Sequence, residues 1–138
     1  MGLLILIGEC NDACILSGVS VIKASSAELI DCPDAAVILG AGARVENIRA
    51  ALSVIVNGDE LSKDLPRGVQ LITCGVSPKN TVSITSRTPE KITLSLNRSI
   101  RTKSGVIEPL ELPVPLENAL SEYEMMARFA AGLLLETP

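Results

Sequence analysis

The sequence predicts an α/β domain: a mainly parallel sheet with helices on both faces, followed by an antiparallel β ribbon and a long C-terminal helix. Three observations carry that expectation. Short runs of β-branched residues closed by turn residues recur through the first half, as strands buried on both faces of a parallel sheet require. Segments with helical spacing or capping patterns separate these runs. After Gly75 the apolar period changes to two, the mark of half-buried antiparallel strands. At 138 residues the chain is read as one domain, 1–138, with a single core.

Taken in order, Leu3-Leu4-Ile5-Leu6-Ile7 reads as a buried strand. Asn11 to Leu16 has the length of a short helix, with Asn11 or Asp12 as its cap and Gly18 placed to end it. Val19-Ser20-Val21-Ile22 is a second strand. Ser25 and Glu28 form a capping-box pattern, which predicts a short helix that must stop by Cys32-Pro33. Asp34 to Leu39 is a third strand, and Gly40-Ala41-Gly42 is the turn after it. Val45, Ile48 and Leu52 then share one helical stripe, so a helix is expected to lead into the strand Ser53 to Asn57. Glu60 to Asp64 reads as a short helix or turn before Pro66, and Val69 to Cys74 returns to the sheet. Units of this kind need crossovers and a mainly parallel sheet.

Beyond Gly75, Val82 and Ile84 alternate with Thr81, Ser83 and Thr85, and Ile92, Leu94 and Leu96 alternate with Thr93 and Ser95. Leu110, Leu112, Val114 and Leu116 repeat the pattern among Pro109, Pro113 and Pro115, so this strand belongs at an edge. Lys103-Ser104-Gly105 supplies the turn before it. From Ser121 a helix is predicted to about Leu135, with Tyr123, Ala127, Ala130 and Leu134 on one stripe. Ser121 and Glu124 form a second capping box.

Composition narrows the partners. The chain is 47% hydrophobic but 1% aromatic, so stacking on bases has almost no side chains to use. A net charge of −4 gives no general hold on phosphate backbones, and nucleic acid is excluded as a partner. Arg98, Arg101 and Lys103 are read as a solvated hairpin end, the alternative being an anion contact. The run Leu3 to Ile7 is too short for an export signal or a membrane span, which implies no membrane partner and a cytoplasmic protein. The four cysteines are accordingly expected as reduced thiols.

There is no histidine, which removes Ser-His-Asp and Cys-His catalysis together with the commonest metal ligand. Cys10 and Cys14, four apart, would share a face of a helix and are the candidate redox pair; the alternatives are structural thiols or, with Glu9 or Asp12, a metal. No metal site is assigned. Cys32 and Cys74 are read as packing residues. Gly40 and Gly42 follow a strand as part of a dinucleotide fingerprint would, although Val45 holds the third glycine's place. Asn57 and Asp59 end the next strand, where a ribose-binding acid would sit. Gly40, Gly42, Asn57 and Asp59 are therefore the candidate ligand-binding residues; the alternative is that the two glycines only permit a tight turn and close helix packing. No G-x-x-x-x-G-K-[ST] loop is present, and no cofactor is expected.

The order Val45-Glu46-Asn47-Ile48, then Val54 to Asp59, then Leu71 to Gly75, then alternating strands and an Ala-rich helix, resembles the ATP-dependent central domain of the Mur ligase family. The resemblance covers about 100 residues from Asp34 onward and implies an α/β fold and a link to peptidoglycan biosynthesis. The family's phosphate loop has no counterpart, and Glu124 stands where its adenine-contacting asparagine would fall. The resemblance therefore implies a non-catalytic, ligase-like module that binds a protein partner or itself as an oligomer. The alternative is a small-molecule or nucleotide-binding protein using the crevice at the strand ends.

Overall fold

The computed structural model describes residues 2–11, 16–60 and 68–136. Its strands are β1 (Gly2–Ile7), β2 (Val19–Ala24), β3 (Ser26–Leu39), β4 (Arg44–Asn57), β5 (Leu71–Cys74), β6 (Val82–Arg87), β7 (Lys91–Leu96), β8 (Ile100–Arg101), β9 (Val106–Ile107) and β10 (Leu110–Pro115), and its helix is α1 (Glu122–Leu134). Eight strands form one sheet in the order β10-β7-β6-β5-β4-β3-β1-β2, while β8 and β9 pair apart from it. From β2 to β6 the neighbours run parallel. β7 and β10 add antiparallel strands at one edge.

The expected α/β class is overturned. The described chain is mostly strand with one α-helix, in a β-solenoid-like arrangement, and helices do not cover both faces of the sheet. The α/β core implied by the Mur ligase resemblance falls with it. Two segments read as helices, the one opened by Ser25 and the one carrying Val45, Ile48 and Leu52, lie within β3 and β4.

Chain reach shows how they run. β3 and β4 have 14 residues each, and Ser26 pairs with Arg44. A straight strand of that size is about 45 Å long. Yet the five Cα steps from Leu39 to Arg44 span at most about 19 Å. Both strands must fold back, and the register break between Cys32 and Ala36 marks the corner, at Pro33 and Asp34. Residues 26–32 and 44–51 pair as a two-stranded arm, and the later halves, beginning at Ala36 paired with Ser53, join the sheet. The register that joins Gly2 to Val19, Ala36 to Ser53 and Val54 to Leu71 has the same offset in each case, as successive coils of a solenoid do.

The helical spacing falls on paired strands. Ala27 and Ile30, like Val45 and Ile48, lie three apart and pack into one core. A regular strand would turn residues three apart to opposite faces, and the pairing from Ala27–Val45 to Ile30–Ile48 is in continuous register; the bulge at Arg49, an extra residue between Ile30–Ile48 and Asp31–Ala50, comes only after them. Only a few residues separate Ser25 from Pro33, too few for a helix with little packing of its own. Of the remaining helix expectations, residues 12–15 and 61–67 lie outside the described part, and Gly58–Glu60 forms a single 3₁₀ turn.

Strand alternation divides the core into two layers. Leu4, Leu6, Ile38, Ile55 and Ile72 pack toward Met126, Ala127, Ala130 and Leu134 of α1. Ile5, Ile7, Val37, Val54 and Val56 pack with Ile30, Val45 and Ile48 of the arm. The arm thus covers the face where an α/β fold would place helices. The chain leaves β1 for β2 on one side and returns to β3 on the other. Such a reversal is a topological switch point, and the ends of the flanking strands leave a crevice there. No helix among the described residues is long and apolar enough to cross a membrane.

Candidate functional site

A cleft of about 1060 Å³ opens at the carboxyl ends of the parallel strands. Its walls are the segments that follow β1, β3, β4 and β5, with Lys23 of β2 and the first turn of α1. Gly40, Gly42, Asn57, Asp59 and Cys10 all line it, so residues separated in the chain converge on one cavity.

The glycine turn is shaped by close packing. Glu9 and Ala41 form an isolated antiparallel bridge, and the Gly40 amide donates to the Ile7 carbonyl at 2.8 Å. A Cβ on Gly40 would lie 2.3 Å from the Glu9 carbonyl oxygen, so only glycine allows the two loops to meet. Gly42 has a φ of +72° with open space where its Cβ would be; its requirement is conformational.

Asn57 ends β4 and Asp59 lies in the 3₁₀ turn that follows it. The Asn57 Oδ1 accepts a hydrogen bond from the Asp59 amide at 3.0 Å, a turn stabilised by its own side chain. The Asp59 Oδ2 accepts from the Val76 amide at 3.3 Å, tying the loop after β4 to the loop after β5.

Sequence reasoning did not place the first turn of α1 in the site. The Ser121 Oγ accepts from the Glu124 amide at 3.1 Å, and the Glu124 Oε1 accepts from the Ser121 amide at 2.9 Å, which completes the capping box. The other oxygen, Oε2, accepts from the Asn11 amide at 2.7 Å. One carboxylate thus joins the helix start to the loop after β1. The Asn11 side-chain amide donates to the Ala119 carbonyl at 2.9 Å, reinforcing the junction. Tyr123 directs its hydroxyl at the carbonyls of Leu39 (2.7 Å) and Ile55 (3.2 Å) and anchors the turn on β3 and β4. A single tyrosine on an apolar stripe was the available signal, because a buried hydroxyl needs a partner.

Cys10 is half-buried at the cleft wall. Burial raises its thiol above the ordinary value, the Glu124 carboxylate raises it further, and Lys23 partly offsets both. That environment disfavours the thiolate that redox chemistry needs. Cys14 lies outside the described residues. Cys10, Cys32 and Cys74 are free thiols, and burial also pushes Cys74 up. Among the described residues, no three His, Cys, Asp or Glu side chains gather to hold a metal ion.

Among the described residues, the charged groups on the lining are Glu9, Asp59, Glu122 and Glu124 against Lys23. Glu122 also pairs with Arg87 outside the cleft. Comparison with protein-family models, with curated proteins and with solved structures gave no match to this chain.

Proposed function

We propose that this protein is a non-catalytic small-molecule-binding module whose ligand occupies the strand-end cleft. The observation that carries the reading is the cleft's position: about 1060 Å³ at the carboxyl ends of parallel strands, beside the reversal of strand order around β1. In open α/β sheets the crevice at such a reversal is where ligands bind; this sheet shares the reversal though not the class, and the cleft's size suits a small organic molecule. Free thiols at Cys10, Cys32 and Cys74 suit a reducing, cytoplasmic setting.

The test compares the wild type with Ala41→Trp, which places a large side chain on the cleft wall, in a thermal-shift screen of small metabolites. Hits that raise the melting temperature in proportion to concentration and vanish in Ala41→Trp support the reading. Hits unaffected by that variant, or no hits at all, contradict it.

A second reading, association with another protein or another copy, is supported at the β2 edge. Ile22 is 50% exposed there and Leu29 on the adjoining arm is 55% exposed. β2 contains no proline, whereas β10 at the opposite edge carries Pro113 and Pro115, which cannot donate to a further strand. Light scattering across a concentration series tests it. A mass that stays at 14.5 kDa rules out self-association.

A further inference from the structure

We infer that the uncapped end of the solenoid, the edge that runs from Ser20 through Ser25 to Asp31, binds a second copy of this chain about a two-fold axis passing between Ser25 and Ser26. This inference rests on the association reading above and deepens it, naming the partner and fixing the register.

The two ends of the sheet are unlike. β10 closes one end with Pro113 and Pro115, and proline has no amide to offer a further strand. At the other end, among the described residues, β2 pairs with β1 alone. The Gly8 amide donates to the Ala24 carbonyl at 2.9 Å, so Ala24 turns its backbone groups toward β1. Along a strand these groups alternate in direction, and those of Val19 and Val21 therefore point away from the sheet. No proline stands between Val19 and Cys32. Ile22 and Leu29, both exposed, flank the bend at Ser25. A terminal coil with an open edge and apolar side chains calls for a cap.

The sequence of the edge selects its own copy as that cap. β2 leads through the bend into the arm, so the edge has two limbs. A two-fold axis at the bend lays the β2 limb of each copy antiparallel against the arm limb of the other. Ala24 then faces the partner's Ala27, Lys23 the partner's Glu28 and Ile22 the partner's Leu29. Small meets small, ammonium meets carboxylate and exposed apolar meets exposed apolar, and the symmetry makes each contact twice. A slip of one residue sets Ile22 against Glu28 or Lys23 against Leu29, a charge against an apolar group. Pairing β2 with β2 sets Lys23 against Ser20, and the arm limb, residues 26–32, has no cation to pair with itself. Charge complementarity thus favours this register over the others.

Sedimentation equilibrium of the purified chain at low salt, over a concentration series, tests this. The wild type is expected to approach twice the 14.5 kDa chain mass as concentration rises. Val21→Pro removes an outward amide and leaves the β1 ladder intact, so it should abolish the dimer. If that variant loses its thermal transition, Ile22→Asp, at an exposed position, takes its place with the same expectation. Lys23→Glu and Glu28→Lys each set like charges opposite one another at both symmetric positions and should weaken association about tenfold. The double swap should recover most of that loss. A dimer that the edge variant removes but whose affinity does not follow the charge swap would overturn this register and leave the β2-edge reading intact. A dimer that all these variants leave unchanged uses another surface and would overturn both. Masses that grow past two copies would mark a contact that does not close and would overturn the two-fold axis. A mass that stays at one chain would overturn the inference together with self-association, while the cleft reading stands on its own screen.

Discussion

The two faces of the sheet are made by alternating residues of the same strands, yet they are covered by different structures. Leu4, Leu6 and Ile55 look toward α1, and Ile5, Ile7 and Val54 look toward the paired arm of residues 26–32 and 44–51. Each cover carries a capping-box pattern, Ser121 with Glu124 and Ser25 with Glu28, and only the first became a helix. The difference lies in the residues after each box. Beyond Glu124 come Met125, Met126, Ala127, Ala130 and Ala131, all buried, so the helix gains a continuous packed side. Beyond Glu28 come Leu29, Ile30, Asp31 and Cys32, and then Pro33 stops any helix. A sheet face requires an apolar cover, and the available length decides whether that cover is helix or strand.

The largest expected effect breaks the comparison at the packing level. Met126 is 2% exposed beneath the helix, and Met126→Ala should lower the unfolding free energy by about 3 kcal/mol. Ile48, half-buried in the arm, should lose about 1 kcal/mol on Ile48→Ala, since part of its side chain already meets water. Urea denaturation at a common slope measures both. Equal losses would mean that the arm is packed as tightly as the helix.

The next effect sharpens the contrast between the two boxes. Ser121→Ala should cost about 1 kcal/mol, because the Ser121 hydroxyl holds the Glu124 amide. Ser25→Ala, at an exposed position outside a helix, should stay within about 0.5 kcal/mol. A cost at Ser25 matching that at Ser121 would restore the helix there.

The smallest effect at neutral pH concerns Cys74, buried on the helix side of the sheet. Its folded-state thiol is raised above the ordinary 9.0 by burial. A raised pKa means that the unfolded chain loses its proton first. The stabilisation is complete below the ordinary thiol value and declines as pH rises above it. Denaturation at pH 8 and pH 10 should show a loss in the wild type that is smaller in Cys74→Val. Identical losses would remove Cys74 as the cause.

Much of the fold was legible where one segment carries its own signal. Leu71 to Cys74 is a short run around the β-branched Ile72 and Thr73 closed by Gly75, and Ser121 to Leu134 has cap, period and length together. The arm was not legible. Its inward residues repeat at three and its pairing partners lie a whole coil away, so local spacing resembles a helix while the register across Ala27 and Val45 makes a strand. The site divides in the same way. Gly40, Gly42, Asn57 and Asp59 were visible as strand-end residues, and all four line the cleft. Glu124 was legible as a cap but not as a bridge, because its second partner, Asn11, is 113 residues away.

The central claim is that paired strands, and not helices, cover the sheet face opposite α1. Nuclear Overhauser contacts in the labelled protein test it most directly. Backbone and side-chain contacts linking Ala27 with Val45 and Ile30 with Ile48, together with extended-chain chemical shifts over residues 26–32 and 44–51, are the predicted result. Amide-to-amide contacts between successive residues from Arg44 to Leu52, with helical shifts and no link to residues 26–32, would contradict it.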